Sequence, residues 1–252
     1  MDGRFYVSVG DALNVINMET PGELSVALLG RPGYSLRSIA FDQTGSTLTG
    51  VDAQSNALIE VDMVSLRGRS VGALGLTRTD TLAGDRVARV SYATRGVNLY
   101  TIDERLGQSR LLAVLERPVA ALAFDAASRV LYGFDAAAKT LVRINTDDGV
   151  VARVTVVAQL DANITGLAFH APGTLCGLDA TEGRLFEINL QTGVATPTVA
   201  TEALIGLHSI GFHTASGRLF ALDRDGALLA VDRLSGSTVP TDITGISAFS
   251  GQ

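Results

Sequence analysis

The chain has 252 residues, 46% hydrophobic and 18% charged, with no tryptophan, which fits one large compact domain or two small ones. Its formal charge of −6 arises from 20 Lys+Arg scattered among 26 Asp+Glu, so no basic stripe is available to a phosphate backbone and nucleic acid is excluded as a partner. The one cysteine rules out an intrachain disulfide framework and a cysteine-based zinc site.

No run approaches the roughly 20 apolar residues of a transmembrane span. The opening MDGRFYVSVGD has neither the basic region nor the apolar core of a leader. The expectation is a cytoplasmic chain if the sequence is complete and an exported one if a leader has been removed.

Along the chain, RFYVSV (4–9), LNVIN (13–17) and LSVALL (24–29) read as three strands, the last two separated by Gly22. SIAFD (38–42), STLTGVD (46–52) and LIEVD (58–62) follow, ending before Gly68. The next unit is the poorest copy: Leu82-Ala83-Gly84-Asp85 replaces Ile-Ala-Phe-Asp, and VARVSYAT (87–94) lacks the terminal Asp, before LYTID (99–103) and RLLAVL (110–115) restore the pattern. ALAFD (121–125), RVLYGFD (129–135), LVRIN (141–145) and VARVTVVAQL (151–160) form a complete set of four. GLAFH (166–170), GTLCGLD (173–179) and LFEIN (185–189) begin another, SIGFH (209–213), RLFALD (218–223) and LLAVD (228–232) a sixth, and ITGISAFSGQ (243–252) repeats a first strand.

The phrase L-x-x-[IV]-[DN] therefore occurs six times, at intervals of 41 to 45 residues, and passing from Asp232 through the carboxyl end back to Asn17 closes the cycle. A glycine follows each phrase: Gly22, Gly68, Gly107, Gly149, Gly193 and Gly236. An Asx side chain followed by a residue tolerant of positive φ is the chemistry of a tight hairpin. Four short strands per unit, six times, predict a single all-β domain over 1–252: a six-bladed β-propeller whose first blade takes its inner strand from residues near 246–249. Proline placement agrees, because Pro21, Pro32, Pro118 and Pro172 fall in connections and Pro197 and Pro240 in outer strands.

The run ALNVINMETPGELSVALLG, IAFDQTGSTLTGVD and DRVARVSYATRGVNLYTIDERLG resembles a bacterial propeller family, domain of unknown function 4394, with its Pro-Gly in the first blade and its R-V-V-S-x-x-G-x-N-L segment. The Asn-Pro of that family's third blade is missing here. The resemblance implies the fold and no activity. More distantly the blades look like those of gluconolactonase and NHL-type six-bladed proteins.

Propeller ligands usually sit over the central channel, on the face made by the connections that enter the inner strands. Aligning the repeats places Arg37, Asp80, Ala120, Thr165, His208 and Thr244 there. One reading is a polar pocket with His208 as a base and Arg37 holding an anion; the other is an exposed histidine and an ordinary surface ion pair. A calcium-dependent lactonase needs several converging carboxylates, whereas this ring offers one, so neither metal nor cofactor is expected. Asp52, Asp135, Asp179 and Asp223 read as turn initiators, and His170 and His213, at the place of Asp42 and Asp125, as turn residues. Cys176 aligns with Tyr132 and Phe220 and reads as a packed, unreactive thiol. Asn163-Ile164-Thr165 matches the glycosylation tripeptide, a pattern common by chance. Phe41, Phe124, Phe169, Phe212 and Phe249 read as core between blades.

Without a nucleophile motif or histidine cluster, the expectation is a non-catalytic interaction or scaffold subunit of a larger assembly. Its protein partner would meet a face containing Tyr34, Arg37, Asp80, Arg95, Thr165 and His208. A small ligand or sugar bound at the channel mouth, and a lactonase-like hydrolase, are the alternatives.

Overall fold

The computed structural model describes the chain except residues 1–4, 18–24, 42–46, 77–80, 86, 147–153, 208, 214–216, 224, 242–243, 245 and 252, and describes residues 5, 17, 37, 38, 40, 41, 154–156, 213 and 246–251 by backbone alone. Six four-stranded antiparallel sheets make up the fold. From inner to outer strand, blade 1 contains β24 (Ile246–Gly251), β1 (Phe5–Val9), β2 (Ala12–Asn17) and β3 (Ser25–Gly30). Blade 2 contains β4 (Leu36–Phe41), β5 (Thr47–Asp52), β6 (Ala57–Asp62) and β7 (Gly68–Ala73), and blade 3 contains β8 (Thr81–Asp85), β9 (Val90–Arg95), β10 (Asn98–Asp103) and β11 (Gln108–Val114). Blade 4 follows with β12 (Ala121–Asp125), β13 (Val130–Asp135), β14 (Thr140–Ile144) and β15 (Val154–Gln159). Blade 5 has β16 (Gly166–Ala171), β17 (Thr174–Asp179), β18 (Arg184–Asn189) and β19 (Ala195–Ala200), and blade 6 has β20 (Ser209–His213), β21 (Arg218–Leu222), β22 (Leu228–Val231) and β23 (Thr238–Pro240). Among the described residues the one helical element is a 3-10 turn, Glu202–Leu204.

The ring closes as the spacing predicts. Phe5 pairs with Gly251 and Val7 with Phe249, so the carboxyl-terminal strand is the inner strand of the blade that the amino-terminal strand opens. The degenerate third blade also forms its inner strand, with Asp85 opposite Val90. Pro197 and Pro240 lie in the outermost strands β19 and β23, where a missing N–H costs no ladder bond to a further strand.

The recurring phrase has a packing reason. Its leading residue is buried in every blade (Leu13, Leu58, Leu99, Leu141, Leu185, Leu228), and so is the residue three places on (Ile16, Val61, Ile102, Ile144, Ile188, Val231). Three positions apart in a strand are opposite faces. The first of each pair therefore packs toward the following blade and the second toward the preceding one. Leu141 joins the blade 5 residues Leu167 and Leu175, whereas Ile144 joins the blade 3 residues Leu99 and Ala113. The six apolar clusters are the six seams between blades.

The same leucine marks a bulge. Pairing with the outer strand shifts at Leu13, Leu58, Leu99, Leu141 and Leu185, each time with an extra residue in the outer strand, which bends that strand and increases the blade's twist. Truncating Leu141, which is fully buried, should remove about 2–5 kcal/mol of stability. Urea unfolding of Leu141→Ala should show that loss in a single transition, because each blade is held on both faces by its neighbours. Removing residues 246–252 should lower the midpoint further, since blade 1 then loses its inner strand.

Candidate interaction face and the turns that shape it

One turn recurs in most of the blades. An Asp or Asn at a strand end accepts two backbone N–H groups through its side chain, and the residue four places later adopts positive φ. In the outer hairpins, Asp103 Oδ1 accepts from Arg105 and Leu106 at 2.8 and 3.2 Å, Asn189 Oδ1 from Gln191 and Thr192 at 2.9 and 3.0 Å, and Asp232 Oδ1 from Leu234 and Ser235 at 2.9 and 2.8 Å. Gly107, Gly193 and Gly236 follow, with φ of 63°, 69° and 71°.

These turns press on the outer strand of the preceding blade. A Cβ on Gly107 would stand 2.7 Å from Gly72 Cα of β7, and one on Gly193 would meet the Val157 carbonyl of β15. Blade 2 departs from this pattern: the positive-φ residue four places after Asp62 is Leu66, at φ 56°, and not Gly68. Its side chain lies over Gly30 of blade 1 and packs in the seam. Gly22 and Gly149 lie outside the described residues.

On the channel-mouth face the strand-end aspartates make the turn their sequence suggests. Asp52 accepts from the Ser55 N–H and hydroxyl at 2.8 and 2.7 Å and Asp135 from Ala137 and Ala138 at 2.9 Å each, while Asp223 accepts from Asp225 and Ala227 at 2.9 and 2.8 Å in a shorter turn whose positive φ falls at Gly226, three places on. Asp179 is the most fully engaged, receiving Thr181, Glu182, the Asn163 N–H and Arg184 Nη2 at 3.1, 3.2, 3.2 and 2.8 Å. Burial pushes the Asp52 and Asp179 carboxyls up, and these donors together outweigh it, holding both below the ordinary 3.8. Backbone donors from Ser65 and from Ser235 and Leu234 do the same for Asp62 and Asp232.

Further charges on this face are paired: Lys139 Nζ lies 3.0 Å from Asp161, Arg117 3.9 Å from Asp135, and Arg31 bonds Asp11. Among the described residues no group of three His, Cys, Asp or Glu is placed to hold a metal ion.

The six residues expected to form a contact set have different fates. Asp80 and His208 lie outside the described residues, and Arg37 is described by backbone alone. Strand pairing places Arg37 opposite Val51, with an extra residue inserted before Ile39; the residues in the equivalent register of other blades are Ala121, Gly166 and Ser209, one later than the repeat alignment gives. Thr165 caps the inner strand, its N–H and hydroxyl both donating to the Leu178 carbonyl at 2.8 and 3.2 Å. Arg95 is exposed at the tight turn between β9 and β10. Tyr34 is half-buried and, like Leu29, Met63 and Leu66, packs against the buried cluster of the seam between blades 1 and 2, where Gly68 leaves room for its ring. It fastens a connection.

The inner phenylalanines serve the seams. Phe124 stacks on Tyr92 of the preceding blade at 5.5 Å between ring centroids, and Phe169 meets Tyr132 edge-on at 6.0 Å. The side chains of Phe41 and Phe249 are outside the described residues. Cys176 does occupy the place of Tyr132 and Phe220, and burial pushes its thiol up to about 12.

His170 is not a turn residue. β16 runs through it to Ala171, which pairs with Thr174, so the turn shrinks to Pro172-Gly173 and His170 sits in a bulge with its ring 5.7 Å from Phe212. The side chain of its counterpart His213 and all of Asp42 lie outside the described residues. The sequence reading also missed the pair of Arg129 Nη2 with the wholly buried Asp85 at 2.6 Å, which ties blade 4 to blade 3. The signal for it was weak, a lone arginine in a turn.

The fold makes this a six-bladed β-propeller. The family described as Repeat of unknown function (DUF6923) matches residues 90–248, and the chain belongs to it. The likeness to domain of unknown function 4394 stays a likeness of motifs. No curated protein matches the sequence. Among solved structures, a chain of the nidogen/laminin complex is similar, with a TM-score of 0.73 and 16% identity over 98% of this chain and 97% of that one, which shows the fold alone. No helix of the described residues is long and apolar enough to cross a membrane.

Gly107→Ala should cost about 1–3 kcal/mol, read by urea unfolding, because the new methyl must enter the backbone of Gly72 from a left-handed position. Asp179→Ala should cost about 2–4 kcal/mol, since it strands three backbone donors and leaves Arg184 without its carboxylate. Asp52, Asp62, Asp179 and Asp232 have folded values below 3.8, so their contribution is complete above that pH and is lost as pH falls through the folded values. The double replacement Asp62→Asn, Asp232→Asn keeps an acceptor oxygen without the proton linkage. It should preserve the thermal midpoint at neutral pH and flatten its decline below about pH 4.

Proposed function

We propose that the propeller is a non-catalytic protein-interaction subunit that offers its outer rim to a partner. The observation that carries this reading is apolar exposure on that rim. Val26 and Leu28 on β3, Leu111 and Val114 on β11 and Val239 on β23 are exposed, and the hairpin tips add Val64 at 91% and Leu234 at 73% exposure. β3 is the most open of these edges. Its sequence SVALLG, like the VTVVAQ of β15, carries neither the charge that β7 and β11 hold in Arg69 and Arg110 nor the proline of β19 and β23, and charge and proline are the usual guards of an unpaired strand edge.

The non-catalytic part is supported by the engagement of the mouth-face aspartates in turns and by the high value of the Cys176 thiol. A propeller of similar fold belongs to a complex of two proteins, nidogen and laminin, which is consistent with a protein partner here. The mouth set of Arg37, Asp80, Arg95, Thr165 and His208 is the second surface to test.

The tagged chain is to be purified from its native host beside Leu28→Lys, Val64→Lys and beside Arg95→Ala. The rim variant should lose at least about tenfold of the associated polypeptide while Arg95→Ala retains it, because a lysine in an apolar contact must be desolvated. The opposite pattern moves the contact to the mouth, and a partner-free chain that turns over lactones overturns the reading.

A further inference from the structure

The seam between blades 5 and 6 differs from the two before it. Where blades 3 and 4 present Tyr92 and Tyr132 to the next blade's phenylalanine, blade 5 presents the small Cys176, and the ring of His170 packs against Phe212 instead. The His170 side chain is only 9% exposed, and both ring nitrogens are buried without a hydrogen-bond partner. Its Nε2 lies 3.6 Å from Glu187 Oε2 of β18, and that same oxygen lies 3.6 Å from Arg233 Nη1, which follows β22 in blade 6. A single half-exposed carboxylate is thus shared between the imidazole and a permanent cation.

We propose that this seam is an acid-sensitive joint, tight while His170 is neutral and loosened when the imidazole takes up a proton. A neutral ring fits the apolar contact with Phe212. An imidazolium there must be desolvated beside Arg233, and Glu187, already engaged by Arg233 and open to solvent, compensates only in part. Burial first and Arg233 second lower the His170 value from 6.5, against the pull of Glu187. Among the described residues on the packed strands, Cys176 of β17 stays neutral over this range, Asp179 at the end of β17 stays ionised and bound to Arg184 of β18, and Arg218 of β21 stays cationic, so Glu187 and Arg233 are the charges that act on the imidazole. The His213 side chain, on β20, is outside the described residues.

The sign follows from the lowered folded value. The opened or unfolded chain binds the proton first, so the seam's stability is complete above pH 6.5 and declines as pH falls through 6.5 toward the folded value. This window is separate from that of the turn aspartates.

Hydrogen exchange of the full chain at pH 7.5 and 5.5, corrected for intrinsic rates, should show β16, β18 and β20 exchanging at least about tenfold faster at the lower pH, with β5 and β9 unchanged. His170→Gln should abolish that acceleration, and Arg233→Gln should reduce it. Equal exchange at both pH values in the parent chain, or an acceleration that persists in His170→Gln, overturns the proposal. Should His170→Gln fail to fold, nuclear magnetic resonance titration of the three imidazoles in the parent chain decides: a native His170 value below 6.5 is expected, and one above it refutes the joint.

Discussion

Among the described residues, no blade of this propeller has a hydrophobic core of its own. Every cluster of buried side chains lies between two blades, with the leucine of one L-x-x-[IV]-[DN] phrase on one side and the isoleucine or valine of the next on the other. A four-stranded sheet with two apolar faces cannot stand alone in water, and six of them satisfy one another only as a closed ring. The strand supplied from the far end of the chain and the aromatic contacts across the inner strands all follow from that requirement.

Closing the ring also demands that strands reverse sharply on both faces without exposing unsatisfied backbone. The Asx turn with a left-handed residue four places on meets that demand, and it tolerates Asn56, Leu66, Arg89, Arg129 and Lys139 at the left-handed position as well as glycine. A side chain is tolerated there where the surroundings leave it space or offer it a partner, as when Leu66 fills a seam and Arg129 reaches the buried Asp85. The carboxylates that a sequence scan would gather into an acidic crown are thereby committed to architecture.

The ring, its blade count and its closure were legible because the constraint that creates them recurs six times and leaves a periodic trace. The third inner strand was legible in spite of its poor motif, since the pairing of Asp85 with Val90 depends on backbone and on neighbours. The contact set was much less so. An inserted residue near Arg37 leaves no mark in a motif alignment, and the packing of Tyr34 depends on Gly68, far along the chain. His170 aligned with turn aspartates, but a two-residue turn after it left no backbone to cap, so its side chain turned into the seam. Such single events carry no periodic signal.

The pairing of β1 with β24 determines how the molecule bears load. Phe5 lies opposite Gly251 in an antiparallel pair, so tension applied at the two ends of the chain pulls on adjacent strands at the same edge of the ladder. The bonds then open one after another like a zipper, and are not sheared together as they would be if the ends left from opposite edges. A ring whose six seams resist heat and denaturant collectively is therefore mechanically soft along one direction, and whatever tethers its two ends decides whether that direction is ever pulled.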